Sequence, residues 1–149
     1  MSVAAGLGLD DLLALRELSR EDLRERFGID EQHVTPGVGY GRLSGLDRLD
    51  NQESFPGYFF FRGPEQVLLY VGRGALADAD PAALERELGA PAAKLRSRTG
   101  PESELRVHPE RGVAYATDGS SVEILEVFQP TTLERYRAEV YEDPGEFIR

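Results

Sequence analysis

Carboxylates are the commonest candidate chemical groups in this chain. Asp10, Asp11, Asp47, Asp50, Glu53, Asp78 and Asp80 stand at expected helix starts and loops. Two such groups brought together in a cleft do general acid–base work, one giving the proton the other takes. Their spacing brings no particular pair together, and solvated helix starts and loops explain them. Gly37, Gly39 and Gly41 offer backbone N–H groups that would suit a phosphate. They lack the spacing of a dinucleotide fingerprint, and no Gly-Lys-Ser/Thr follows. A bulged strand entry explains them without a ligand. Gly72-Arg73-Gly74 falls between an expected strand and a helix, where it reads as a connection. His33 and His108 are the only imidazoles and lie far apart, and there is no cysteine. A zinc site would need mainly carboxylates, and thiol chemistry is excluded. Ser19, Ser44 and Ser97 lack the strand–turn–helix context of a nucleophile elbow. No catalytic, metal-binding or cofactor-binding residue is assigned, and no cofactor is expected.

Two surfaces suit a macromolecular partner. Lys94, Arg96 and Arg98 alternate, so on a strand they share one face. Arg106 and His108 alternate in the next strand. Together they describe a basic stripe that would grip an acidic partner or pair with Glu102, Glu104 and Glu123. His108 precedes Pro109 in a turn-like stretch and is expected to be exposed. The second surface is Tyr58-Phe59-Phe60-Phe61 with Tyr70, a strand apolar on both sides. Either both of its faces are covered, or an exposed aromatic face awaits a partner. The partner-binding candidates are therefore Lys94, Arg96, Arg98, Arg106, His108, Tyr58, Phe59, Phe61 and Tyr70.

The elements that must position these residues follow a doubled pattern. Gly57 to Val71 reads as a β-hairpin with a Gly-Pro turn, and Gly112 to Glu126 as another with an Asp-Gly turn. Gly57 aligns with Gly112 and Val67 with Val122, an offset of 55 (57 to 112). A capped helix precedes each hairpin. Ser19 caps one ahead of Leu23, Phe27 and Gly28; Asp80-Pro81 caps the other ahead of Leu84, Leu88 and Gly89. This helix offset is 61 (23 to 84), and the Gly-rich segment from Pro36 to Gly41 accounts for the greater length of the first copy. Leu9, Leu12 and Leu13 mark a further helix. Strands are expected at Val38–Leu43 and Leu46–Leu49 in the first copy, and at Ala93–Thr99 and Glu104–His108 in the second. A last helix starts at Thr131, carries Leu133, Tyr136, Val140 and Tyr141 on one stripe, and stops at Pro144-Gly145. Phe147 and Ile148 are expected to fold back on the body.

The 149 residues suit one domain of two repeats, 9–75 and 76–129, with a C-terminal helix and tail at 130–149. The fold class is α+β: two tandem helix-plus-antiparallel-strand units forming one layered domain, with a C-terminal helix. Net charge is −10, which disfavours nucleic acid and suits a basic partner or plain solubility. All but one of the 17 basic residues are arginine, a coding bias rather than a motif. The chain has no apolar run long enough for a membrane span and no basic leader, and it reads as cytoplasmic.

Leu18-Ser19-Arg20-Glu21-Asp22-Leu23 with Phe27-Gly28, echoed by Asp80-Pro81, Leu84 and Leu88-Gly89-Ala90-Pro91, resembles the start of a known unit. It is similar to the capped-helix-then-strands unit of the small outer-membrane assembly lipoproteins and to the tandem units of β-lactamase inhibitory protein. The likeness spans most of residues 9–128, without a lipobox cysteine or disulfides, and transfers no site residue. It implies helices covering one sheet face, and protein binding rather than catalysis. The sequence thus points to a non-catalytic interaction protein, an inhibitor, immunity factor or assembly adaptor, whose partner is another protein. The alternative is a small-molecule-binding domain or hydrolase using the acidic residues and Gly37–Gly41.

Overall fold

The computed structural model describes residues 1–145, so Phe147 and Ile148 lie outside the described residues. Helices α1 (Leu9–Leu15) and α2 (Arg20–Phe27) come first. Strands β1 (Val34–Tyr40), β2 (Leu43–Leu49), β3 (Tyr58–Arg62) and β4 (Glu65–Gly72) follow. After a 3-10 turn come α3 (Pro81–Leu88), β5 (Ala93–Arg96), β6 (Glu104–His108), β7 (Val113–Thr117) and β8 (Val122–Val127), then α4 (Leu133–Glu139). The capped helix starts form as the sequence implies. The Ser19 side chain accepts the Asp22 N–H, and Gly28 closes α2 in the left-handed conformation. Asp80 accepts the Ala82 N–H at 3.0 Å, with Pro81 in the first turn of α3.

All eight strands form one sheet in the order β1-β2-β3-β4-β8-β7-β6-β5. It is two antiparallel meanders joined side by side through β4 and β8. The register corrects the repeat offset. Phe60 pairs with Leu68 and Ala116 with Ile124, and each pair is followed by a bulge. The equivalent positions are therefore 56 apart (60 to 116, 68 to 124) rather than 55. One residue matters because side chains alternate: an offset of 55 would match Phe59 with Ala114, which faces the opposite side of the sheet. At 56, Phe59 matches Tyr115, Leu69 matches Leu125, and all four face the same core. Aligning the two glycines misplaces the copies because glycine has no side chain to report a face.

The seam obeys the same relation. Tyr70 pairs with Glu126, its own counterpart, and is flanked by Leu69 with Val127 and Val71 with Leu125. Equivalent residues meet as in an isologous contact, so a local two-fold passes through the Tyr70–Glu126 pair.

Helices cover both sides of the sheet. On one side Leu9, Leu12 and Leu15 of α1, Leu23 of α2 and Leu84 of α3 pack on Phe59, Phe61, Leu69, Val71, Tyr115, Leu125 and Val127. On the other, Tyr136 of α4 joins Tyr40, Leu46, Phe60, Leu68, Leu105, Ala116, Ile124 and Phe128. β7 and β8 are buried along their whole length, which is why both lack the polar alternation of a half-wet strand.

Some boundaries differ from expectation. The expected strand Val38–Leu43 is a turn at its end: Gly41 takes φ +55°, and β1 and β2 lie either side of it. β5 ends at Arg96 rather than Thr99, because a Ser97–Thr99 hydroxyl contact of 2.7 Å bends the chain. The cap of α4 is Thr132, which accepts the Arg135 N–H, rather than Thr131. Among the described residues, no helix is long and apolar enough to cross a membrane.

Candidate functional site

Two carboxylates interrupt the apolar run of β8. Glu123 and Glu126 are each 3% exposed. A buried carboxylate must be bonded, since desolvation disfavours its charge. Glu123 receives Arg73 and the Ser103 hydroxyl. Glu126 receives the Tyr40 hydroxyl on one oxygen and the Tyr136 hydroxyl, at 2.5 Å, on the other. Arg98 donates to the Tyr40 oxygen at 3.2 Å, so a chain of hydrogen bonds runs from Arg98 through Tyr40 to Glu126.

Four elements meet there: the end of β1, the loop after β5, the β4–β8 seam and α4. Six strands separate β1 from β5 in the sheet, yet Arg98 lies 4.7 Å from the centre of the Tyr40 ring. The sheet must curl for this contact to exist. Two bulges in the β1–β2 pairing, between Thr35 and Val38 and between Val38 and Tyr40, provide curvature at that end. Burial raises the Glu126 carboxyl above its ordinary range, against the two tyrosine hydrogen bonds and the Arg98 charge. Burial and the neighbouring Glu126 raise both tyrosines, so they stay protonated well past ordinary alkaline pH. Tyr40, Tyr136 and Glu126, with Leu105, Ile124, Tyr141 and Arg98, line a cleft of about 240 Å³.

Beside the cleft lies a row of rings and guanidiniums. Tyr40 and Tyr70 stand 5.5 Å apart, and Tyr70 stacks on Tyr58 at 6.0 Å. Arg98 also covers Tyr70 at 5.4 Å, and Arg48 covers Tyr58 at 5.2 Å. These contacts are within cation–π range. Tyr58 and Tyr70 are half-buried, and Arg98 is exposed.

The structure divides the sequence candidates. Tyr58, Tyr70 and Arg98, drawn from two different expected surfaces, come together in this row. Phe59 and Phe61 do not belong to any surface: they are 1% and 0% exposed beneath α1 and α2. His108 corrects the expectation of exposure, being 5% exposed and stacked 6.0 Å from Tyr115. Burial and then the charges of Arg111 and Arg106 hold its imidazole below the ordinary range. The basic stripe is broken. Lys94 and Arg106 are paired strand neighbours and both reach Glu104, at 3.8 and 3.1 Å, while Arg106 also reaches Glu85 of α3 at 3.5 Å. Arg96 continues their face at the sheet edge. Arg98 leaves it, because alternation ends where β5 stops pairing, and crosses to the α4 side.

The remaining candidates have local roles. Gly37, with φ +69°, lies within the β1 bulge, and Gly41 turns the hairpin. A Cβ on Gly41 would collide with the Val140 carbonyl oxygen at the end of α4. Gly41→Ala is therefore expected to cost about 2–3 kcal/mol, from positive φ and from lifting α4; urea unfolding measures it. Asp47 pairs with Arg20 at 2.5 Å and Asp50 with Arg48 at 3.5 Å. Asp11 accepts the Gly8 N–H in the first turn of α1. Among the described residues, no group of three or more His, Asp and Glu is arranged to hold a metal ion.

Sequence reasoning missed Glu126, Tyr40 and Tyr136 as a set. The available signal was two glutamates inside Val122-Glu123-Ile124-Leu125-Glu126-Val127, a run otherwise apolar enough for a central strand. Comparison with protein-family models, with curated proteins and with solved structures finds no match to this chain.

Proposed function

We propose that this chain is a non-catalytic interaction protein, an inhibitor, immunity factor or assembly adaptor, that docks another protein on the α4 side of its sheet. The observation that carries the reading is the row Arg48–Tyr58–Tyr70–Arg98, half-exposed and held in place by mutual stacking. Tyrosine and arginine dominate interface hot spots, and side chains already ordered lose little entropy on binding. The sheet edges favour docking on the face. β1 is bulged and carries Pro36, and β5 has only four residues with Lys94 and Arg96 on it, both devices that discourage strand addition. The likeness to assembly lipoproteins and to β-lactamase inhibitory protein leads to the same reading. The absence of cysteine suits a cytoplasmic setting.

The small-molecule or hydrolase alternative has less support. The cleft, at about 240 Å³, is below the roughly 300–1,000 Å³ usual for small-molecule pockets. Both oxygens of its one buried carboxylate already hold tyrosine hydroxyls.

A photo-crosslinking amino acid placed at Tyr58 or Tyr70, and separately at exposed Glu25 on α2, tests the docking face in native lysate. The expected result is one discrete adduct from positions 58 and 70 and none from position 25. Equal labelling from all three positions, or none, rejects the face.

A further inference from the structure

We infer that the cleft beside this face receives an aspartate or glutamate side chain of the partner protein, with Arg98 as its grip; this rests on the docking reading above. The guanidinium of Arg98 lies over two rings, Tyr40 and Tyr70, at 4.7 and 5.4 Å. The two rings are inclined at 55° to each other and flank the guanidinium on two sides. A guanidinium has five N–H donors; one Arg98 nitrogen contacts the Tyr40 oxygen, and the Tyr70 hydroxyl also supports its charge. No carboxylate lies within 4.0 Å of it among the described residues, although Arg20, Arg48, Arg73 and Arg106 all have one. Glu126 does not serve, because Tyr40 and Tyr136 occupy its oxygens and Tyr40 stands between it and Arg98.

A second arginine, Arg42, follows Gly41 of the cleft wall. Arg42 donates to the Tyr141 carbonyl at 2.9 Å, next to Gly41 and Tyr141 in the cleft wall, and it too has no carboxylate within 4.0 Å among the described residues. Glu142 is the acid at the opening and is exposed. A guanidinium held between rings, with donors beyond those on the tyrosines, can meet a carboxylate in two parallel hydrogen bonds. The volume suits one side chain better than a cofactor. Within a chain of net charge −10, Arg98 and Arg42 place two guanidiniums without a carboxylate partner among the described residues at this part of the face. A partner meeting it with an acid is both attracted and oriented.

The test titrates purified protein with N-acetyl-aspartate N-methylamide, its asparagine isostere and succinate, reading the Arg98 Nε–Hε signal by ¹⁵N NMR. The expected result is a saturable shift with the aspartate compound, at least about tenfold tighter than with asparagine. Arg98→Gln should abolish it, Arg98→Lys should weaken it about tenfold through loss of the two-pronged geometry, and exposed Arg62→Gln should leave it unchanged. Equal, unsaturated shifts from aspartate and asparagine up to about 50 mM overturn the inference. Unchanged aspartate binding in a folded Arg98→Gln also overturns it. Succinate binding about a hundredfold tighter than capped aspartate would assign the cleft to a free dicarboxylate and overturn the partner source. If the titration fails while cross-linking at 58 and 70 persists, the acid-receiving cleft falls and the docking face stands. If cross-linking fails while the titration succeeds, the docking reading falls, and the partner source of the acid falls with it.

Discussion

Phe59→Ala should lower the unfolding free energy by about 3–5 kcal/mol, a large part of the about 5–15 kcal/mol available to a domain of this size. The ring is 1% exposed and pairs across the sheet with Leu49 on β2 and Leu69 on β4. It stacks on Phe27 of α2 at 5.9 Å and meets Phe55 at 5.6 Å. Truncation removes the transfer free energy of the ring. It also leaves a cavity that strand pairing on both sides prevents from collapsing. Tyr58→Ala, one residue away on the other face, is half-exposed and should cost about 1 kcal/mol or less. Urea denaturation with unchanged m-values measures both. Equal losses would mean that the two faces of β3 are not differently buried.

That contrast within one strand shows what was legible in the sequence. Tyr58-Phe59-Phe60-Phe61 announces a strand apolar on both sides, and alternation says which rings go together. It does not say which side is covered, and by what, because that depends on where α4 lands some seventy residues later. Local signals carried far. Ser19 and Asp80 cap the helices their side chains suggest, and Leu23 and Leu84, matched from sequence, are both fully buried. Identity alone misled at Gly57 and Gly112, where the offset depends on which face a side chain enters.

The candidate site was harder to read because no local pattern encodes it. Tyr40, Arg98, Glu126 and Tyr136 come from four elements and meet only because an eight-stranded sheet curls. Alternation predicts that Arg98 continues the face of Lys94 and Arg96. That rule holds while a strand is paired, and β5 stops pairing at Arg96. Glu126 had its own signal, a charge inside a buried run. Its position opposite Tyr70 gives that charge a structural reason: the seam brings equivalent residues face to face, and one copy has tyrosine where the other has glutamate. The two halves thus differ chemically where they touch, and α4 docks on the carboxylate that only the second half supplies.

Glu126 should make the protein lose stability as pH rises from acid toward neutral. Its folded carboxyl is raised above the ordinary glutamate value, first by burial and against the bonds from Tyr136 and Tyr40. The folded state therefore holds the proton more tightly than the unfolded chain. Stability from this group is fully present below pH about 4.5 and falls as pH rises toward and through the folded value. The groups facing it are Tyr40 from β1, Tyr136 from α4, Arg98 from the loop after β5 and Tyr70 across the seam. Both bonded tyrosines are raised above their ordinary value and Arg98 is held charged, so Glu126 is the member of the bonded cluster whose charge responds as pH rises from acid. His108 runs the other way. Its lowered value gives stability that is lost as pH falls below about 6.5, but this is common to wild type and Glu126 variants and cancels in their difference. Glu126→Gln, neutral at every pH, should therefore gain on wild type as pH rises above the ordinary carboxyl range, levelling off past the folded value. Glu126→Ala should lose about 3–5 kcal/mol at pH 5, because two buried tyrosine hydroxyls are left without an acceptor and α4 loses its bond to the seam. Urea unfolding of the three proteins across pH 4.5–7.5 gives both quantities. A wild-type-minus-Gln difference independent of pH would mean that the carboxylate is as easily ionised folded as unfolded, and would remove Glu126 from the pH dependence.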